Sequence, residues 1–440
     1  MANNVKRASE YAQRILRQSQ QKNTTLLLQT ITAILAACTL GSTLLLFASC
    51  STQNLNVNPS PAIWKIVHSE NPGSAQNSLN AIAATSIKDA WAVGTFSASH
   101  FGSQGSKALI EHWNGSAWSV FNSPDTPLGN SILNGVAAIS PTNAWAVGYA
   151  FNESNNSEQH TLIEHWNGTS WAIVASPTPI NGGQLSAITA LSATNIWAVG
   201  YGDNLGRTLI EHWNGNVWAV VQSPNPGSGE NLLTGLTAIS MNDIWAVGIF
   251  SNGIRTIATG EGLVEHWNGT SWSVVQSSNP GMQGNFLSSI AAISTNDVWA
   301  IGSSSQGTKT LIEHWNGTSW RTVASPNPGT AENTLSSVVT ISTHSIWAVG
   351  SAGSTFAGQQ SQPVIEHWDG TSWSTFTSPN IGTINTSLSG AGLVPHSTNI
   401  WAVGTGFYYA NPVSVSSPNA TQTSNETPIT AQTLIEFCCS

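Results

Sequence analysis

Charge is what this chain has least of. Only 8% of its 440 residues are charged, 12 cations against 21 acids, where an ordinary soluble domain carries roughly a quarter. A net charge of −9 with so few cations leaves no basic surface to neutralise phosphates, which excludes a nucleic-acid partner. Four cysteines exclude a disulfide-built scaffold. An apolar fraction of 40% excludes a disordered chain. The length by itself suggests two or three domains, unless repeats carry it as one unit. What abounds instead is tryptophan, 20 residues, alongside 39 glycines.

The amino-terminal end differs from the rest. Residues 1–23 hold Lys6, Arg7, Arg14, Arg17 and Lys22 against one acid, Glu10, and read as a short basic cytoplasmic segment. Residues 24–49 are uncharged, and these 26 residues reach about 39 Å as a helix, more than the ~30 Å of a bilayer core. The next cation is Lys65, so the charge asymmetry puts the amino terminus inside and the remainder outside. The segment is expected to be a transmembrane signal anchor or a lipoprotein signal. Phe47-Ala48-Ser49-Cys50 resembles a lipobox, which makes Cys50 a lipidation candidate, while the length of the apolar run favours an uncleaved anchor. Residues 50–61 form a polar linker. Residues 62–440 are then expected outside the cytoplasm, tethered to the cell membrane.

Everything beyond the linker is one motif written repeatedly. The tetrad WAVG or WAIG begins at Trp91, Trp145, Trp197, Trp245, Trp299, Trp347 and Trp401. A second element, EHWNG or EHWDG, places Trp at 113, 166, 213, 267, 315 and 368, and a further Trp follows each five residues later. Each unit reads as four short strands: an apolar run ending in Ser, the WAVG strand, the TLIEHW strand, and SWSVV after an Asn-Gly hairpin turn. A Pro/Gly-rich loop such as SPNPG closes it. Four strands in about 50 residues describe a propeller blade. The seventh unit stops at Glu436-Phe437 without its fourth strand, whereas Ile63–Gly73 aligns with the missing piece. The expected fold is therefore all-β, a seven-bladed β-propeller over residues 62–440, closed by pairing its first and last strands.

The WAVG strand followed by I-E-H-W-N-G-T-S-W resembles the kelch repeat. It is also similar to the bacterial BNR-type propellers related to the photosystem II assembly factor. The resemblance runs from Ile63 to Phe437 and implies the fold; such propellers serve as enzymes, lectin-like binders and assembly factors. One glycine follows WAV where kelch has two. The Asp-box position is occupied by Trp, the three propeller arginines (Arg207, Arg255, Arg321) fall in different blades, and tyrosines are few. No catalytic residue is carried over from these families.

The six Glu-His pairs, Glu111-His112 through Glu366-His367, suggest metal at first sight. Strand neighbours point to opposite faces, so a pair does not chelate, and successive copies lie a blade apart. A structural tie between blades is expected instead, with no metal and no cofactor. The Asn-Gly-Thr/Ser sequons at Asn114, Asn167, Asn268 and Asn316 are explained by the hairpin turns they form.

Variation concentrates in the loops between second and third strands, which share a face with the loops joining blades. The last of these is read as Thr405–Gln432. Aromatics past WAVG sit near that rim: Phe96, Tyr149, Tyr201, Phe250, Phe407, Tyr408 and Tyr409. The function expected is a surface-tethered binding or scaffold module for a neutral glycan or a protein. Two alternatives stand beside it. One is a glycan-active hydrolase or lyase using scattered groups such as His100, Glu153, Glu158, His160, Asp203, Glu230 and Glu261. The other is a sensory or assembly-factor ectodomain. With 7 cations against 20 acids, 7 − 20 = −13 for residues 62–440, an anionic polymer is disfavoured.

Overall fold

Period-two alternation dominates each repeat, and each repeat forms one twisted four-stranded antiparallel sheet; there are seven of them. The computed structural model describes residues 63–98, 105–152, 155–202, 206–253, 260–279, 284–304, 307–353, 361–379, 384–408 and 430–439. The anchor segment, Cys50, the linker and Tyr409 lie outside these residues. All that follows concerns the compact unit Pro59–Ser440. Blade 1 is typical, with strands Gln76–Ser86, Asp89–Ser97, Lys107–Trp113 and Trp118–Phe121 running from the central channel outwards.

Blade 7 is assembled from both ends of the unit. Ile384–Leu393, Ile400–Tyr408 and Thr430–Cys439 supply three strands, and Ile63–Ile66 supplies the fourth. The closing pair runs in register from Ile63↔Cys439 to Ile66↔Glu436. One boundary needs correcting. The long blade-7 loop does not begin at Thr405 or end at Gln432, because Thr405↔Thr433 through Tyr408↔Thr430 are paired strand residues.

The tryptophans explain the ring. The WAVG Trp of one blade packs between the two Trp of the next. Trp197 lies 5.1 Å from Trp267 and 5.9 Å from Trp272, and Trp245 lies 5.2 Å from Trp315 and 5.6 Å from Trp320. The pattern crosses the closure, where Trp401 meets Trp113 and Trp118, and Trp347 meets Trp64. Trp64 is thus the fourth-strand Trp of blade 7. Three per blade would make 21; the position of the absent one is held by buried Cys438, in the core that contains Trp64 and Trp347. Offset and edge-to-face aromatic pairs of this kind stabilise by about 0.5–1.5 kcal/mol beyond area burial.

The glycine of WAVG has a specific cause. Every innermost strand carries a bulge opposite it, as between Leu79 and Ala81 across from Gly94 and Val93. The bulge swings the preceding carbonyl over the glycine. A Cβ on Gly94 would lie 2.0 Å from the Ser78 oxygen, and one on Gly200 2.0 Å from that of Gln184. The extra residue of the bulge is polar in each blade: Asn80, Asn134, Ser186, Thr234, Ser288, Ser336 and Ser389. Asn80 and Asn134 Nδ2 each donate to a leucine carbonyl of the following blade, both at 2.8 Å.

Candidate binding face

Antiparallel strands place the loops between second and third strands, and those joining blades, at one end of the channel. That end is the mouth. Its construction begins with the Glu-His pairs. Glu111, Glu164, Glu211, Glu265, Glu313, Glu366 and Glu436 of blade 7 are all 0% exposed. Five accept a hydrogen bond from a serine in the loop arriving from the preceding blade: Ser69 to Glu111 (2.5 Å), Ser123 to Glu164 (2.8 Å), Ser176 to Glu211 (2.9 Å), Ser277 to Glu313 (2.9 Å) and Ser378 to Glu436 (2.5 Å). In the other two blades the corresponding serines turn away; Ser223 bonds Thr208 and Ser325 bonds Thr310. Burial pushes Glu111, Glu211, Glu265 and Glu366 up to about 8, and Glu164 and Glu436 to about 7. At neutral pH the first four are then mostly protonated and the other two about half so. The formal −13 of residues 62–440 therefore overstates the charge, and an argument against anionic ligands built on it loses force.

The histidines do something else. His112, His266 and His314 each place Nε2 at 2.7–2.8 Å from the carboxylate of Asp89, Asp243 or Asp297 in their own blade. Their rings lie about 4.2 Å from the WAVG indoles. The tie between blades expected of these pairs is thus made by Glu, not His. Among the described residues no group of three or more His, Cys, Asp or Glu is placed to hold a metal ion.

The rim aromatics divide. Phe96 and Phe250 pack against the cores between blades. Phe407 is partly exposed and Tyr408 ends its strand. Tyr149 and Tyr201 differ from these. Trp145 and Val147 pack in one core with Leu185 and Ile196 of blade 3, so Tyr149, two residues on, faces the same way. Tyr201 likewise follows Trp197 and Val199, which pack against Leu233 and Ile244 of blade 4. Both rings are half-buried, and neither hydroxyl has a hydrogen-bond partner among the described residues. Burial raises both phenols, and Tyr149 adds to the rise of Tyr201; the two occupy the same strand position at successive seams, blade 2 against 3 and blade 3 against 4. In the other blades this position holds Thr95, Ile249, Ser303, Ser351 and Thr405.

Two further residues join them, Ile180 and Glu230, the latter one of the scattered acids already noted in the sequence. Ile180, in the loop from blade 2 to blade 3, is 99% exposed. Glu230, in the next such loop, is 7% exposed, and its Oε2 has no hydrogen-bond partner. Ile180 was traceable by comparing repeats. Asn77, Asn231 and Asn333 each accept from a glycine N–H of the loop (2.6–2.8 Å), while Nδ2 donates to the preceding blade at Ala431, Gly206 or Thr308 (2.9–3.0 Å). Blade 3 has Gly183 at that position. Without the amide, the loop turns on Gly182 N–H to the Pro179 carbonyl, 3.0 Å, and is tied to blade 2 by Thr178 to Thr161, 2.9 Å, and Ile180 is left in water.

No family model matches this sequence, and no curated protein matches it. Solved structures do. YCF48 bound to D1 peptide superposes with a TM-score of 0.51 at 12% identity, covering 87% of this chain and 96% of that one. YCF48 from Cyanidioschyzon merolae gives 0.50 at 13%, covering 85% and 98%. Phage phi92 endosialidase gives 0.50 at 10%, covering 86% and 69%. The likeness is one of fold. That fold is the seven-bladed β-propeller that the repeats suggested.

Proposed function

We propose that this chain is a binding or scaffold propeller, held at the outer face of a membrane by residues 24–49, which docks a protein or neutral glycan on the mouth. The observation that carries this reading is the break in sevenfold repetition at blades 2 and 3. Only there does the position after the WAVG glycine carry tyrosine, with both hydroxyls unengaged. A rigid scaffold presenting variable loops is the usual arrangement for recognition, and half-buried tyrosines with free hydroxyls are typical anchors of interfaces. The structural neighbour solved with a D1 peptide adds support for a protein partner.

The deciding experiment is crosslinking on intact cells, with a photoreactive residue at Phe407 on the mouth or at Val217 on the opposite face. A discrete adduct or glycan conjugate from the mouth alone is expected. Adducts from Val217 alone, or turnover of an oligosaccharide by the purified full chain, would overturn the reading.

A further inference from the structure

We propose that the mouth sector of blades 2 to 4 takes an extended peptide of a protein partner, seating an apolar side chain against Ile180, Tyr149 and Tyr201 and a lysine or arginine against Glu230. This rests on the mouth being the binding face, and it names the occupant. Three features fall in this one sector of the mouth. The asparagine clamp is missing at Gly183, and Ile180 is wholly in solvent although it belongs to a loop that elsewhere folds down on glycine. Two tyrosines replace the small residues and isoleucine of the other blades, their hydroxyls free to donate to the carbonyls of a bound backbone. Glu230 is buried with one carboxylate oxygen unpartnered.

A carboxylate taken from water without compensation is costly, and a cation brought by a ligand supplies the missing partner. Glu261, exposed at the start of the third strand of blade 4, has the same sign. An apolar group beside a cation is a combination that protein side chains provide and a neutral sugar does not.

The test is to pan phage-displayed random peptides of about a dozen residues on the purified full chain, and to measure the affinity of the enriched peptides. They should combine an apolar residue with Lys or Arg. Binding should fall at least roughly tenfold with Ile180→Asp, with Glu230→Gln and with the double variant Tyr149→Phe/Tyr201→Phe. Val217→Asp, on the opposite face, should leave it unchanged. Glu230→Gln separates recognition from structure, because removing an unpartnered buried charge should hold or raise the melting temperature while binding is lost. Enriched peptides that compete with a mouth crosslink at Phe407 but ignore these variants overturn this assignment and leave the mouth reading standing. Peptides that map away from the mouth overturn both. No enrichment, or binding of neutral oligosaccharides that the same variants abolish, overturns the peptide assignment.

Discussion

At the scale of single residues, the repeat is held by positions that tolerate little change. The WAVG glycine is one. Gly200→Ala drives a Cβ to 2.0 Å from the Gln184 carbonyl, so strand or bulge must move. A loss of about 1–3 kcal/mol, typical of overpacking, should appear as a lower denaturation midpoint. Gly105→Ala is the contrast, since its Cβ meets nothing within 4 Å and only its positive φ resists; its loss should be smaller. The tryptophans are equally exacting. Trp197 is buried between the two Trp of blade 4, and Trp197→Ala should lose about 3–5 kcal/mol, as large-to-small core changes do.

At the scale of elements, the serine–glutamate latches stitch five of the seven inter-blade loops to the third strand of the blade each enters. They differ in a testable way. Ser277 bonds Glu313, whereas Ser223 bonds Thr208 and leaves Glu265 alone. Ser277→Ala should therefore lose about 1–3 kcal/mol by orphaning a buried acceptor, and Ser223→Ala distinctly less, both measured by urea unfolding. The strands, the turns and the closure were legible in the sequence because Trp, Gly and Asn-Gly recur at spacings that only one sheet geometry accommodates. The tie between blades was expected of the Glu-His pairs, but its serine partners were not legible, because a serine and a glutamate about 40 residues apart meet only when neighbouring blades stack. Glu230 stood out as a scattered acid, but its burial did not, because the packing of its loop sets it. Ile180 could be traced only through the amide missing from its loop, since nothing in an isoleucine itself reveals its exposure.

At the scale of the whole molecule, the buried carboxyls govern the response to pH. The folded propeller raises the affinity of six glutamates for protons, so it binds more protons than the unfolded chain between about pH 4.5 and 8. Stability must then fall as pH rises through that window. Three histidines, His165, His212 and His367, are pulled below their usual value by burial. They favour the folded state less as pH drops below 6.5, which opposes the glutamates only on the acid side. Six glutamates outweigh three histidines, so the melting temperature should be highest near about pH 4.5–5 and decline towards pH 8, and Glu265→Gln should flatten the decline. A profile rising towards pH 8 would contradict the buried-acid account.

The pairing of Ile63–Ile66 with the final strand also sets a timetable for biosynthesis. Ile63 leaves the ribosome 439 − 63 = 376 residues before its partner Cys439, an interval of roughly 20–75 s at about 5–20 residues per second. Throughout that interval Trp401 has yet to reach Trp113 and Trp118, and Trp64 has nothing to close upon. Until that strand is made the nascent ring is a crescent with an aromatic face bare at each horn, and closure waits on its arrival.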